Sequence, residues 1–152
     1  MAGIYLAFNS SYLTDIRTNL FNTLVKSGQH VFPSDLTFNS DTNSLSENIN
    51  NATASLHVLG LEYGEIHANN QSLEHLQYLL AIEKLKNNPD FKLFIWFPYS
   101  INEITDKVQH DFISDIRNNI SRGINFSNTL SAIQLTDDLR LSIKTETKET
   151  FD

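Results

Sequence analysis

Four short apolar runs, spaced by segments long enough to form helices, constrain this chain more than any other feature. The runs are IYLAF (residues 4–8), HVFP (30–33), ASLHVLGL (54–61) and FKLFIWFP (91–98). Runs without polar alternation suit strands buried on both faces. After the first run, NSSYLTD supplies capping residues and predicts a helix from about Tyr12 to Ser27. Its apolar face is Leu13, Ile16, Leu20, Phe21 and Leu24, and Gly28 is its stop. Polar, Asn-rich residues 34–50 predict a long loop and then a short helix over Ser44 to Asn51. Ser72 to Lys86 predicts a helix with Leu73, Leu76, Leu79, Leu80 and Ile82 on its stripe, broken by NNPD. Ile104, Val108, Phe112, Ile116 and Ile120 mark another, and Thr136 to Lys148 a last one. A fifth strand is expected near Thr129 to Ile133.

Strands alternating with helices imply right-handed βαβ units. The fold class is therefore α/β, with a mainly parallel sheet of four to five strands and helices on both faces. Ligands in such sheets bind beyond the carboxyl ends of the strands. Those ends are Phe8-Asn9-Ser10, Pro33-Ser34, Gly60 to Gly64 and Phe97-Pro98-Tyr99.

At 152 residues and 40% hydrophobic content, the chain fits one domain with one core. That domain is expected over residues 1–148, with 149–152 a tail or the start of a linker. A net charge of −7 with scattered Lys and Arg argues against a nucleic-acid face, which needs clustered cations. The absence of cysteine excludes disulfides and thiolate chemistry. No secretory or membrane segment is visible, which points to a soluble cytoplasmic protein and no membrane partner.

Several chemistries lack their parts. There is no G-x-G-x-x-G, no G-x-x-x-x-G-K-[ST] and no G-x-S-x-G. The five histidines form no H-x-x-x-H pair, so no metal site is expected.

The segment VLGLEYGEIHANNQSLEHLQ, residues 58–77, forms one wall of the expected pocket and carries Glu62, Glu65, His67, Glu74 and His75. Ser72 and Glu74 are also what a helix start wants, a cap and a charge that complements the dipole. Gly60 and Gly64 suit a tight loop at positive φ, with Tyr63 as a lid, or else line a ligand. Phe8, Asn9 and Ser10 lie at the ligand end of the first strand, and the small polar groups of FNSS could bind ribose or phosphate. Trp96 is expected in the core, His57 as a satisfied, partly buried histidine, and Asp15 and Arg17 on a solvated helix face.

Taken in order, IYLAFNSSYLTDIRTNLFNTLVKSGQHVFP, LHVLGLEYG, SLEHLQYLLA, LFIWFP and QHDFISDIR resemble a bacterial TIR-like (Toll/interleukin-1 receptor-like) domain over about Gly3 to Thr145. The resemblance implies a flavodoxin-like, three-layer fold with strand order 2-1-3-4-5. It implies self-association through the loop after the second strand, where Leu36 and Phe38 are the apolar candidates. It also implies, in many members, cleavage of the N-glycosidic bond of NAD as substrate, with no other cofactor. That chemistry uses a glutamate at the start of the helix after the third strand. The family run is Ser, two residues, Glu, Leu, Gln; here it is Ser72, Leu73, Glu74, His75, Leu76, Gln77. His75 therefore stands where the glutamate is expected, and Glu74 is one residue early. One residue rotates a helical side chain by about 100°, so only one of the two can face the cleft. A non-catalytic module for self-association or nucleotide sensing is the alternative. A nucleoside deoxyribosyltransferase-like enzyme, which shares the IYLA opening, is a further one.

Overall fold

The computed structural model describes residues 3–33 and 42–139. In chain order the elements are β1 (Ile4–Leu6), α1 (Thr14–Lys26), β2 (Val31–Phe32), α2 (Thr42–Asn50), β3 (Ala54–Val58), β4 (Ile66–Ala68), β5 (Gln71–Ser72), α3 (Leu73–Asn87), β6 (Lys92–Trp96), α4 (Lys107–Asn118), β7 (Ile124–Ser127) and α5, helical over 132–139. Five strands pair in parallel in the order β2-β1-β3-β6-β7. Counted within that sheet alone, this is the 2-1-3-4-5 order of a flavodoxin-like α/β fold. No helix among the described residues is long and apolar enough to cross a membrane.

Both faces of the sheet are covered because successive strand residues point to opposite sides. Ile4 and Leu6 pack with Leu20 and Leu24 of α1 and Leu135 and Leu139 of α5. Tyr5 and Ala7 join Ile49 of α2, Tyr78 and Ala81 of α3, and Phe112, Ile113 and Ile116 of α4. Trp96 is buried as expected, and its indole N–H donates to the Thr129 carbonyl at 2.7 Å.

Four expectations are corrected. The fifth strand runs over Ile124–Ser127, ahead of the expected 129–133, because Gly123 at φ 104° turns the chain straight into the sheet. There Ile124 is buried, and Leu130 and Ile133 are left exposed. On α3 the buried face is Glu74, Leu76, Gln77, Tyr78, Ala81 and Leu85, with Leu79 exposed. A hydrophobicity count misplaces that face because two of its members, Glu74 and Gln77, are polar. On α4, Val108 and Ile120 are likewise exposed. Arg17 is 1% exposed, where a solvated position was expected. Its Nε donates to the Ala7 carbonyl and its Nη2 to those of Leu6 and Pro33, which ties the carboxyl end of β1 to the chain leaving β2. Leu36, Phe38 and the chain after Leu139 lie outside the described residues.

His57, expected to be partly buried, is fully buried on β3. Its Nε2 lies 2.8 Å from Ser55 Oγ, and its Nδ1 has no hydrogen-bond partner among the described residues. Burial pushes its pKa down from 6.5 to about 3. Between those values the unfolded chain binds a proton that the fold refuses. The stability present above pH 6.5 is therefore lost as pH falls toward 3, by up to about 1.4 kcal/mol per unit. Burial raises the pKa of Glu74, which works in the opposite sense over the acid end of this range. Urea midpoints between pH 7 and 5 are expected to decline, and His57→Gln should flatten the decline; an unchanged slope would refute the assignment.

Candidate functional site

The helix start after β3 decides which side chain meets the strand ends. Ser72 Oγ accepts from the backbone N–H of His75 at 3.1 Å and so fixes the first turn of α3. The inward stripe then begins at Glu74 and repeats at Gln77, Tyr78, Ala81 and Leu85, at helical spacing. Glu74 faces the end of β1, and His75 is turned away from it.

Glu74 is 4% exposed and closes on the first strand's loop. Its Oε2 accepts from the Ser10 N–H and its Oε1 from the Ser10 hydroxyl, each at 3.0 Å. Desolvation raises its pKa, and the hydrogen bonds from Ser10 and Asn9 oppose the rise by favouring the charged form. One turn on, Gln77 is fully buried and uses every hydrogen-bonding position of its amide. Its Oε1 accepts from Tyr5 OH (2.6 Å) and the Phe8 N–H (2.8 Å); its Nε2 donates to the carbonyls of Phe8 (2.8 Å) and Leu73 (2.9 Å). Two adjacent inward polar side chains of α3 thus hold the backbone of Phe8 to Ser10. Asn9 Nδ2 donates to the Val58 carbonyl and joins this loop to the end of β3.

His75 belongs to a different cluster. Its Nδ1 is 2.6 Å from Tyr63 OH, and its ring stacks on Phe112 at 4.1 Å between centroids. A pocket of about 300 Å³ lies there, lined by Tyr63, His75, Val108, Asp111, Phe112 and Asp115. Burial lowers the pKa of His75 and the nearby Asp115 carboxylate partly offsets this. Tyr63, expected as a lid on the sheet, anchors its own loop instead: its N–H donates to Asp106 Oδ2 at 3.0 Å and its hydroxyl meets His75.

The loop from Gly60 to Gly64 is pinned along its length. Gln109 Nε2 donates to the Gly60 carbonyl, and Tyr12 OH to that of Glu62. Gly64 takes φ 92°, and a Cβ there would lie 2.3 Å from Ser10 Oγ and 3.3 Å from Glu74 Oε1. Gly60 does not need positive φ; a Cβ on it would meet the Tyr12 ring. Gly64→Ala is expected to cost about 2 kcal/mol or more, from backbone strain plus displacement of Ser10. A urea titration of the variant checks this, and a loss within 0.5 kcal/mol, the scatter of ordinary surface changes, would refute it.

Beyond this loop, at the carboxyl ends of β1 and β3, lies an open cleft of about 460 Å³. Its lining is Ser10, Ser11, Tyr12, Glu62, Gly64, Glu65, Thr105 and Asp106. Glu74 sits behind Ser10 at its base. The structure brings together Phe8, Asn9, Ser10, Gly64, Ser72 and Glu74. It assigns Tyr63 and His75 to the neighbouring pocket and leaves Gly60 as packing against Tyr12. Gln77, Gln109, Asp106 and Tyr12 complete the site and were not singled out by sequence. The LQ that follows His75 was the available signal for Gln77. No protein-family profile matches this chain and no curated protein matches it.

Proposed function

We propose that the chain is a TIR-like signalling or defence domain that cleaves the N-glycosidic bond of NAD and releases nicotinamide when copies self-associate. One observation carries the reading: a buried carboxylate, Glu74, at the start of α3 and beneath Ser10 at the ligand end of β1. It supports a role for Glu74 despite the one-residue offset from the family run.

In the proposed reaction, a ribose hydroxyl displaces the Ser10 hydroxyl from Glu74 Oε1. The bond from C1′ to the pyridinium nitrogen then breaks, and its electron pair leaves on nicotinamide, which becomes neutral. The ribosyl centre acquires oxocarbenium character, which the carboxylate charge stabilises at close range and low dielectric. Water adds to C1′ and loses one proton to solvent. Tyr12 gives the cleft an aromatic wall, and the loop pinned by Asp106 and Gln109 keeps its shape fixed.

The test is nicotinamide release from NAD by concentrated protein, followed as protein concentration and oligomer size rise together. No release even from forced oligomers would overturn the reading. A non-catalytic scaffold is the second reading, and one feature favours it: Ser10 donates to both Glu74 oxygens, as a loop anchor would.

A further inference from the structure

The pocket beside His75 shares no lining residue with the cleft. The two meet where Asp106, which lines the cleft, accepts from the N–H of Tyr63, which lines the pocket. Its volume of about 300 Å³ is at the lower end of the roughly 300–1,000 Å³ usual for small-molecule sites. Tyr63 is 8% exposed, so its hydroxyl proton needs an acceptor inside the protein. Among the described residues that acceptor is His75 Nδ1, at 2.6 Å. A ring nitrogen that accepts carries no proton, so in the neutral imidazole the hydrogen is on Nε2. Burial lowers the pKa of His75 and keeps the ring neutral at pH 7. One face of the ring is stacked on Phe112. What His75 offers the pocket is its other face and its Nε2–H edge, which meets no acceptor among the described residues.

Tyr63 and Phe112 give this pocket an apolar floor, and Val108, 56% exposed, adds apolar surface that a ligand could cover. An acceptor is supplied by Asp115, whose carboxylate is close enough to oppose the fall in the His75 pKa and enters no ion pair among the described residues. Asp111 is held by Lys107 at 3.1 Å. A fixed donor, an anionic acceptor and an apolar floor suit a flat ring that shows an acceptor and an N–H donor on one edge. A plain hydrocarbon would leave the Nε2–H unmatched. We propose that this pocket is a second ligand site, separate from the cleft, that takes an amino-bearing nucleobase such as adenine. A ring nitrogen accepts from His75 Nε2–H, and the amino group donates to Asp115. The site is independent of the N-ribosyl cleavage reading, which its failure would leave untouched.

The experiment titrates the intact protein with adenosine and with purine riboside, which differs only in lacking the amino group, so that contacts of the sugar cancel. Calorimetry gives the affinities, and ring-nitrogen NMR of His75 reports the contact. Adenosine is expected to bind about ten-fold or more tightly than purine riboside, the effect of one hydrogen bond to a charged acceptor, and to shift the Nε2 signal. Asp115→Ala, an exposed change on α4 that the fold tolerates, should abolish the preference. Glu74→Gln should keep it, because Glu74 faces Ser10 in the cleft. Equal binding of the two nucleosides overturns the proposal, as does no binding of adenosine at millimolar concentration. A preference that survives Asp115→Ala overturns it too, and one lost only in Glu74→Gln would put the nucleoside in the cleft instead. A His75 ring that carries its proton on Nδ1 would remove the donor on which the site depends.

Discussion

Replacing Glu74 with glutamine is expected to reduce nicotinamide release by about a hundred-fold or more while the fold persists. The substitution is close to isosteric and can keep the local hydrogen bonds. A glutamine Oε1 accepts from the Ser10 N–H, and its Nε2 donates to the Ser10 oxygen, which switches from donor to acceptor. What disappears is the negative charge that the proposed reaction places under the anomeric carbon. An unchanged thermal midpoint with lost turnover would separate charge from structure. Turnover that survives would remove Glu74 from the mechanism. His75→Gln is the paired control, because His75 packs on Tyr63 and Phe112 and makes no contact with Ser10. It is expected to retain most of the activity.

The same carboxylate sets a pH profile. Burial raises the pKa of Glu74, so its charge, and with it kcat/KM, should grow as pH rises through a value above the ordinary carboxylate range. Ser10→Ala removes a hydrogen bond that favours the charged form and should move that limb further upward.

The fold was legible because its signal is repetitive. Apolar runs such as IYLAF and FKLFIWFP are long enough to read as strands covered on both faces, and the helices between them force parallel pairing. The site was legible only to the level of a segment. Within SLEHLQ, the choice between Glu74 and His75 turned on helix phase, and the phase is set by polar residues at buried positions. Glu74 and Gln77 are inward for what they bond, which hydropathy does not register. Leu79, by contrast, is apolar and exposed. Arg17 was misjudged for the same reason: its partners are carbonyls at the end of β1, 10 and 11 residues away in sequence, and nothing in the α1 pattern announces them. The hairpin of β4 and β5 was hidden inside a polar loop because its turn, Asn69 and Asn70 at φ 54° and 61°, uses residues equally common in irregular segments.

Gln77→Leu is expected to cost about 3–5 kcal/mol, a large share of the total for a domain of this size. The leucine fills the volume but removes the hydrogen bonds that Gln77 makes to Tyr5 OH and to the N–H and carbonyl of Phe8, in a site closed to water. Each hydrogen bond lost from a buried group costs about 1–3 kcal/mol, and the Leu73 carbonyl keeps its place in the helix. Gln77→Glu makes the cause visible through pH. An ionised glutamate still accepts from Tyr5 and Phe8 N–H but cannot donate to the Phe8 carbonyl, and it sets a second charge one turn from Glu74. Its folded-state pKa should lie above the unfolded value. The variant's stability is then fullest at low pH, where the protonated acid donates as the amide did, and falls as pH rises through that pKa. Urea titrations at pH 4.5 and 7.5 should show the gap to wild type widening at the higher pH. A gap that is the same at both would mean Gln77 fills space and does not hold the strand. If the clamp is real, the loop it holds loosens first, and both variants should release nicotinamide more slowly even at temperatures where they remain folded, because Ser10 is then no longer held over Glu74.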